Sequence, residues 1–592
     1  MKKSSLTTAV VAGLAGAAGL VNVSNAVNVN PDGLGQVLIY PYYTVNADNA
    51  TLISVVNTTN DVKAVKVRFL EGRNSQEVLD FNLYLSPFDV WTGAVHDLGD
   101  SNGPAVMTTD DRSCTVPYFW QERQDAGGNA GINQGNYSGF FKNFEYALNN
   151  DDGGPYGLDR TREGHLEMIE MGRVVDDGDD LASAGVSVEA VDPTLGDTGG
   201  ELAWAALHVA GVPNDCQALV DAFRVVEGVA GQWEPNFGDV STDIDEPNGG
   251  LFGGAEIANA LQGTNLSYNA DALEGFYQLS NEVTGLVQNL HTNPGSVSPS
   301  LEDAEDLNGT GVAQAIVFDN GTLVTLDFDR GLDAVSAAFM HNQVYNEYVT
   351  SPGAGASSEW VMTFPTKRLH IEDTLTWQER RPFTVDYDGH PSTPAGACEP
   401  VELAFWDREE QFPGALEGST GVCPSPLPPE GCNPTTNVPG PRLCWEATVL
   451  TFNQAQDIID NEESNILGAR YATNFELVDT YLPSGLPSPT ATTFHTGWIR
   501  LDFYTDGIDN STGGLGSDGV NDHSMLSLPE AGGGLNLVEG LPVTGFWAAE
   551  YVNGELSEGV VANYSGLHKH RADRNGYGVD TDGVTPTGFA WS

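Results

Sequence analysis

Lys63-Ala-Val-Lys-Val-Arg-Phe-Leu70 and, beyond the turn Glu71-Gly72-Arg73-Asn74, Val78-Leu-Asp-Phe-Asn-Leu-Tyr-Leu85 decide the fold class. In the first run Val65, Val67 and Phe69 point one way while Lys66 and Arg68 point the other. In the second, Leu79, Phe81, Leu83 and Leu85 face inward and Asp80 and Asn82 outward. A period of two is the pattern of a half-buried strand. The same alternation extends to residues 37–45, 51–58 and 90–96, with the polar turns Asn46-Ala47-Asp48-Asn49 and Thr59-Asn60-Asp61 between them. Short strands punctuated in this way fit an immunoglobulin-like antiparallel sandwich, although a jelly roll would read similarly.

Further along, residues 164–175 read as a strand, and 255–262 with 265–270 as a hairpin turning at Gly263-Thr264. Residues 312–318 and 322–328 form a second hairpin around Asp319-Asn320-Gly321, where Asn and Gly tolerate positive φ. Strands follow at 359–364, 448–452, 497–503 and 543–552. Residues 215–223, with Asn214 as N-cap, and 332–348 have helical spacing. The expected fold is mainly β: immunoglobulin-like antiparallel sandwiches with long loop-rich insertions and a few short helices. The expected division is a signal peptide (1–26), an N-terminal β-sandwich (27–125), a loop-rich insertion with short strands and a helix (126–310), a β-rich segment (311–390), a Cys/Pro-rich disulfide segment (391–446) and a C-terminal β-rich region (447–592).

The chain has 592 residues, with 82 Asp and Glu against 25 Lys and Arg, a formal charge of -57. Such a surface repels phosphate backbones and anionic headgroups, which excludes nucleic-acid binding and electrostatic attachment to anionic membranes. With 40% hydrophobic residues it is still able to build packed cores. Only 7 of the 25 basic residues are lysine, a balance that also suits a saline habitat, where counterions screen self-repulsion.

Lys2 and Lys3, the apolar stretch 6–21 and Ser24-Asn25-Ala26 compose a secretory signal, so the mature chain is expected to begin near Val27. Export makes Cys114, Cys216, Cys398, Cys423, Cys432 and Cys444 a disulfide set. The simplest pairing is Cys423 with Cys432, Cys398 with Cys444, and Cys114 with Cys216.

Gln36-Val-Leu-Ile-Tyr-Pro-Tyr-Tyr43, Leu52-Ile-Ser-Val-Val-Asn57, Arg162-Glu-Gly164 leading into Glu167-Met-Ile-Glu-Met-Gly172, Asn346-Glu-Tyr-Val349 and Glu359-Trp-Val-Met-Thr-Phe-Pro-Thr-Lys367 together resemble a family of secreted or cell-surface proteobacterial proteins of unknown function. The resemblance implies a Gram-negative protein that is exported or held at the outer cell surface. It transfers no site residue.

No G-x-S-x-G elbow, H-E-x-x-H helix or phosphate loop is present in the sequence. Glu163, Glu167 and Glu170 around His165 have the composition of a carboxylate site, though acids spread along one strand usually make a solvated face. His568 and His570, one residue apart, suit two metal ligands on one side of a strand. The acid-glycine loops are the stronger chemical signal, because calcium takes six to eight hard oxygens. Asp506, Asp509 and Asn510 form one candidate calcium loop, Asp573, Asn575, Asp580 and Asp582 a second, and Asp243, Asp245 and Asn248 a third. Turn formation alone also explains Asp, Asn and Gly clusters.

These features point to a secreted, non-enzymatic structural protein of the cell surface, a self-associating subunit of an extracellular layer or filament or an adhesive coat, stabilised by calcium. Strand donation by residues 27–45 to a neighbour's sheet is one route to assembly. The alternative is a binder or hydrolase of cell-surface glycans, using some of the eleven tryptophans and nineteen tyrosines as stacking platforms.

Overall fold

A computed structural model describes residues 26–119, 139–175, 201–226, 229–234, 240, 243–277, 289–304, 312–319, 322–371, 375, 379–385, 387, 397–410, 412, 442–454, 463–470, 472–481, 490–503, 523–529, 535–553, 555–557, 560–579 and 586–590. The protein is mainly β and built from stacked, largely antiparallel sheets; Thr473–Phe475 runs parallel to Ala447–Phe452. All five expected N-terminal strands are present, as Val37–Thr44, Asn49–Asn57, Val62–Glu71, Glu77–Leu85 and Val90–His96. Ala47 and Asp48 both have positive φ in a tight turn, closed by Asn49 N donating to Asn46 O at 3.0 Å, that carries the chain from one sheet to the other.

The first sandwich faces an eight-stranded sheet against a five-stranded one. The larger sheet runs Asn28–Val29, Asp271–Glu274, Val37–Thr44, Glu163–Val174, Val62–Glu71, Glu77–Leu85 and Cys114–Val116, with Ile244–Asp245 also paired to Glu163–Val174. The smaller runs Thr264–Asn269, Leu251–Asn259, Asn49–Asn57, Val90–His96 and Val106–Thr108. Leu38, Tyr40, Val65, Val67, Phe81 and Met168 of one sheet pack on Ile53, Val55, Trp91, Ala255 and Ile257 of the other. The first sandwich therefore draws strands from beyond residue 125: Glu163–Val174 is central to its larger sheet, and Leu251–Asn259 is interior to its smaller one.

The face of Lys66, Arg68 and Asn82 is opposite that of Val65 and Phe81, as the alternation requires, but it is not solvated. Asn82 donates to Thr292 O at 2.8 Å, Lys66 to Asn293 O at 3.2 Å, and Asp80 accepts from Gly295 N at 2.6 Å, so a distant segment covers the sheet. Ion pairs make this burial tolerable: Lys66 with Asp80 at 2.5 Å, and Arg68 with Glu77 at 2.8 Å.

A third sheet runs Thr473–Phe475, Ala447–Phe452, Ala356–Thr363, Thr544–Tyr551 and Tyr564–Lys569, and its three inner strands are buried on both faces. Val361, Val449, Phe546 and Ala548 extend the first core. Trp360, Met362, Leu450 and Trp547 on the other face pack on Val344, Tyr348, Phe405, Ile499 and Leu501 of a fourth sheet, made of Glu402–Asp407, Thr496–Asp502, Gln343–Val349 and Arg571–Asp573.

The expected helix 332–348 is a helix only over Gly331–Phe339, and Gln343–Val349 is a strand. Val344 and Tyr348 are buried there against sheet neighbours, and pairing with Thr496–Asp502 outweighs local helical spacing. The shorter helix Cys216–Ala222 is capped by Asp215, whose carboxylate accepts from Gln217 N and Ala218 N, rather than by Asn214. Asn214 instead donates to Trp204 O at 2.9 Å.

Disulfides join Cys114 to Cys216 and Cys398 to Cys444, as expected. Cys423 and Cys432 lie outside the described residues. Such bonds belong to an oxidising compartment, extracellular or periplasmic. Among the described residues no helix is long and apolar enough to cross a membrane.

Strand donation by residues 27–45 meets a structural obstacle. Val27 is fully buried and bridged to Ala315, Asn28–Val29 pairs with Asp271–Glu274, and Val37–Thr44 lies inside the sheet. This segment completes its own chain's sheet, so it is not a free strand.

Candidate functional site

The titratable groups gather along Glu163–Val174 and at the seam between the first and third sheets. Glu163, His165, Glu167 and Glu170 are all buried, which overturns the expectation of a solvated face. Each acid has a specific partner. Glu163 accepts from the Tyr42 hydroxyl at 2.6 Å and from Arg470 N at 3.1 Å; Glu167 pairs with Arg68 at 3.2 Å; Glu170 pairs with Lys63 at 2.6 Å. Burial pushes the Glu167 carboxyl up to about 7 against the pull of Arg68, and lowers the His165 imidazole to about 3. Values near neutrality are useful to an acid–base catalyst, yet Glu167 is 2% exposed and His165 0%.

The seam is polar. Gly72 N donates to Glu163 O at 3.0 Å and Ala447 N to Gly72 O at 2.9 Å, so backbone bonds run from the first sandwich into the third sheet. Glu359 accepts from Ile466 N, Leu467 N and the Ser464 hydroxyl at 2.9 to 3.0 Å, and Thr44 donates to Leu467 O at 2.9 Å. These bonds satisfy groups that burial would otherwise leave unpaired. Gly72, Arg73, Arg160, Glu163, Trp445, Ala447, Val449 and Ala469 line a cavity of about 10 Å³, room for one water rather than a substrate. The Arg73 guanidinium stacks over Trp445 at 4.3 Å and Arg160 over Tyr146 at 4.1 Å.

A Ser, His and Asp come together at the sandwich end, a grouping invisible in the sequence. Ser86 Oγ lies 2.7 Å from His208 Nδ1, and Asp89 Oδ2 lies 3.4 Å from the same nitrogen. A nucleophile relay needs hydroxyl and carboxylate on opposite ring nitrogens, so this arrangement is not one.

The candidate metal ligands are scattered. Asp506, Asp509, Asn510, Asp580 and Asp582 lie outside the described residues. Asp573 ends one strand and Asn575 begins another, Asn575 donating to Glu539. Asp243 accepts from Trp233 Nε1 at 3.0 Å and Gln232 at 2.7 Å, Asp245 pairs with Arg173, and Asn248 contacts Lys63 and Asp61. His568 stacks on Trp547, while the His570 ring lies 2.9 Å from Val361 O through Nε2 and 3.1 Å from Asn346 Nδ2 through Nδ1. Both His570 nitrogens are thus engaged. Among the described residues no three His, Cys, Asp or Glu side chains gather as a metal site.

No family model matches the chain, and no curated protein or solved structure does.

The fourth sheet's outer face carries an aromatic group that the sequence did not single out. Trp406 and Trp498, opposite each other in register, stack with centroids 4.2 Å apart and planes 11° apart. Tyr345 flanks Trp498 at 6.4 Å, Arg500 lies 5.9 Å from the Trp406 ring, and Trp498 is 40% exposed. Alternation along Thr496–Asp502 marks Trp498 as outward, but only the pairing register reveals Trp406 beside it.

Proposed function

We propose that the protein is a secreted, non-enzymatic structural protein of a Gram-negative cell surface, a self-associating subunit of an extracellular layer, filament or adhesive coat. The observation that carries this reading is the use made of the charged interior. Groups that resemble catalytic acids and bases in the sequence serve as ties between strands and between sheets: Arg160 to Glu71, Arg68 to Glu167, Lys63 to Glu170, and Arg470 to Asp159 across the seam. Buried ties of this kind favour one rigid arrangement over an adaptable cleft. Disulfides and a shared third sheet serve the same end.

Calcium binding at the Asp-Asn-Gly loops would let such acidic subunits associate despite their charge. The test is to remove calcium from the purified mature protein with a chelator, restore it, and follow thermal stability and particle size. A reversible fall in both is expected. No change in either removes calcium-linked assembly from the reading.

A second reading, glycan binding, is favoured by the exposed Trp498 stacked on the half-buried Trp406 and by their polar surround. Aromatic platforms flanked by hydrogen-bonding groups suit the apolar faces of sugar rings. Retention on insoluble polysaccharides that is lost in Trp498→Ala would favour it, and equal retention of both proteins would remove it.

A further inference from the structure

Among the described lysines, Lys63 has distinctive surroundings. Its Nζ donates to Glu170 Oε1 at 2.6 Å and also to the side-chain carbonyl of Asn248, and both the Lys63 and Glu170 side chains are 0% exposed. Lys66 meets Asp80, but the nearby Glu77 is held by Arg68 at 2.8 Å. Lys367 meets backbone carbonyls, and Lys569 pairs with Asp271 where its side chain is 42% exposed.

The site is assembled from three separate parts of the chain. Lys63 lies on Val62–Glu71, Glu170 on the adjacent Glu163–Val174, and Asn248 on the connection into Leu251–Asn259. A bulge in the pairing between Ala64 and Val65 sets Glu170 opposite Val65, diagonal to Lys63. Glu170 fixes the connection through its backbone, accepting from Asn248 N at 3.1 Å and Gly249 N at 2.7 Å. Asp61 orients the amide by accepting from Asn248 Nδ2 at 2.8 Å, which turns the Asn248 carbonyl toward Lys63. An amine hydrogen-bonded to an amide oxygen sits roughly 3.5 Å from the carbonyl carbon, so a small rotation of the Asn248 side chain that turns the face of its amide toward Nζ brings the two into near-attack contact. An amine, an amide carbon and a carboxylate able to relay protons are the parts of an intramolecular acyl transfer.

We propose that Lys63 and Asn248 join through a self-formed isopeptide bond, with Glu170 carrying the protons. Lys63 Nζ gives one proton to Glu170, and its lone pair attacks Asn248 Cγ. Glu170 passes that proton to Nδ2, Nζ loses a second proton, and the tetrahedral centre collapses. The Nζ–Cγ bond remains and the Cγ–Nδ2 bond breaks. Ammonia leaves and takes the second proton as ammonium. No electrons change hands and no cofactor is required. Asn248 is itself exposed, so ammonia has a path to solvent. The bond would tie the larger sheet of the first sandwich to the entry of a strand in the smaller sheet, across residues that are 185 apart in sequence. The inference stands whether or not the surface role holds, because it concerns only the chain's own chemistry.

Peptide mapping of the purified full mature chain by mass spectrometry tests it. The expected result is an intact mass lower by one ammonia than the disulfide-bonded sequence, with a branched peptide joining the Lys63 and Asn248 segments. Glu170→Gln and Lys63→Met are expected to restore the full mass and abolish the branched peptide. Linear wild-type peptides with unmodified Lys63 and Asn248 overturn the proposal. So does conversion of Asn248 to Asp or to a cyclic imide at the Asn248-Gly249 step without a branch. The wild-type map decides the matter even if a variant fails to fold.

Discussion

Glu71 accepts both arms of the Arg160 guanidinium, from Nε at 2.8 Å and from Nη2 at 2.8 Å, and neither side chain is exposed. The same carboxylate accepts from Arg73 N, Asn74 N and Gln76 N at 2.8 to 3.1 Å, so it organises the turn between two strands of the larger sheet. Burial opposes its charge, but Arg160 and these amides outweigh burial and hold the carboxyl below its usual range. Arg160→Met leaves that charge without its counterion, along with Asp152, which pairs with Arg160 at 2.5 Å. A loss of about 3–5 kcal/mol in urea unfolding is expected. Combining it with Glu71→Gln should recover part of the loss, whereas a single-variant loss below about 1 kcal/mol would show that the pair is dispensable.

Glu446 sets a stability term of the opposite sign. It is fully buried, Oε1 has no hydrogen-bond partner among the described residues, and burial raises its carboxyl to about 8 against the nearby Lys367 and the Arg368 amide. The unfolded chain releases this proton near 4.5, so the stabilisation is complete below that pH and is lost as pH rises toward 8. Glu446→Gln should leave stability at pH 5 nearly unchanged and raise it at pH 8.5 by about 2 kcal/mol, as read from denaturant midpoints. Equal effects at the two pH values would refute the assignment.

The strands were legible because Val, Leu and Phe alternate with polar residues in runs such as 63–70, and a period of two needs no knowledge of partners. Burial of the opposite face was not legible, because Asn82 and Lys66 are covered by Thr292 and Asn293, more than 200 residues away. The candidate site failed for the same reason. Whether Glu163 and Glu170 face water or an ion-paired interior depends on Arg470 and Lys63, which no local pattern links to them. The second half of 332–348 is a strand although Val344 continues a helical spacing, because its pairing partner, Leu501, lies far along the chain. The pairing of Cys114 with Cys216 and Cys398 with Cys444 was legible because export and spacing leave few simple solutions.

Buried histidines set the acid limit. Burial lowers His165, His291 and His370 to about 3 and His570 to about 4. Each is neutral in the folded chain and takes up a proton near 6.5 when unfolded. Their contribution is therefore full above that pH and is lost as pH falls toward 3, by up to about 1.4 kcal/mol per unit per group. Among the described residues neither ring nitrogen of His165 has a hydrogen-bond partner, so His165→Leu removes both the acid penalty and two unsatisfied groups. Its acid-unfolding midpoint, followed by circular dichroism, should move to lower pH, with stability at pH 8 equal or higher. An unchanged midpoint would mean that His165 is not buried neutral.

The N-terminal segment offers the sharpest test of how the chain is built. Val27 N donates to Gln314 O and Ile316 N to Val27 O, both at 2.8 Å, while Gly35 and Leu251 exchange backbone bonds at 2.9 and 3.0 Å. Val27 packs with Val37, Ile39 and Leu273 and with Phe328 and Val335, where the sheet meets the helix Gly331–Phe339. Removing residues 27–36 strips an edge from the eight-stranded sheet and opens that cluster. A loss of several kcal/mol is expected from the exposed apolar surface alone, at roughly 25 cal/mol per Å². The truncated protein should melt at markedly lower temperature as an isolated chain, at concentrations where no assembly forms. If it instead keeps its melting temperature and loses only assembly, the segment serves a neighbour's sheet and not its own.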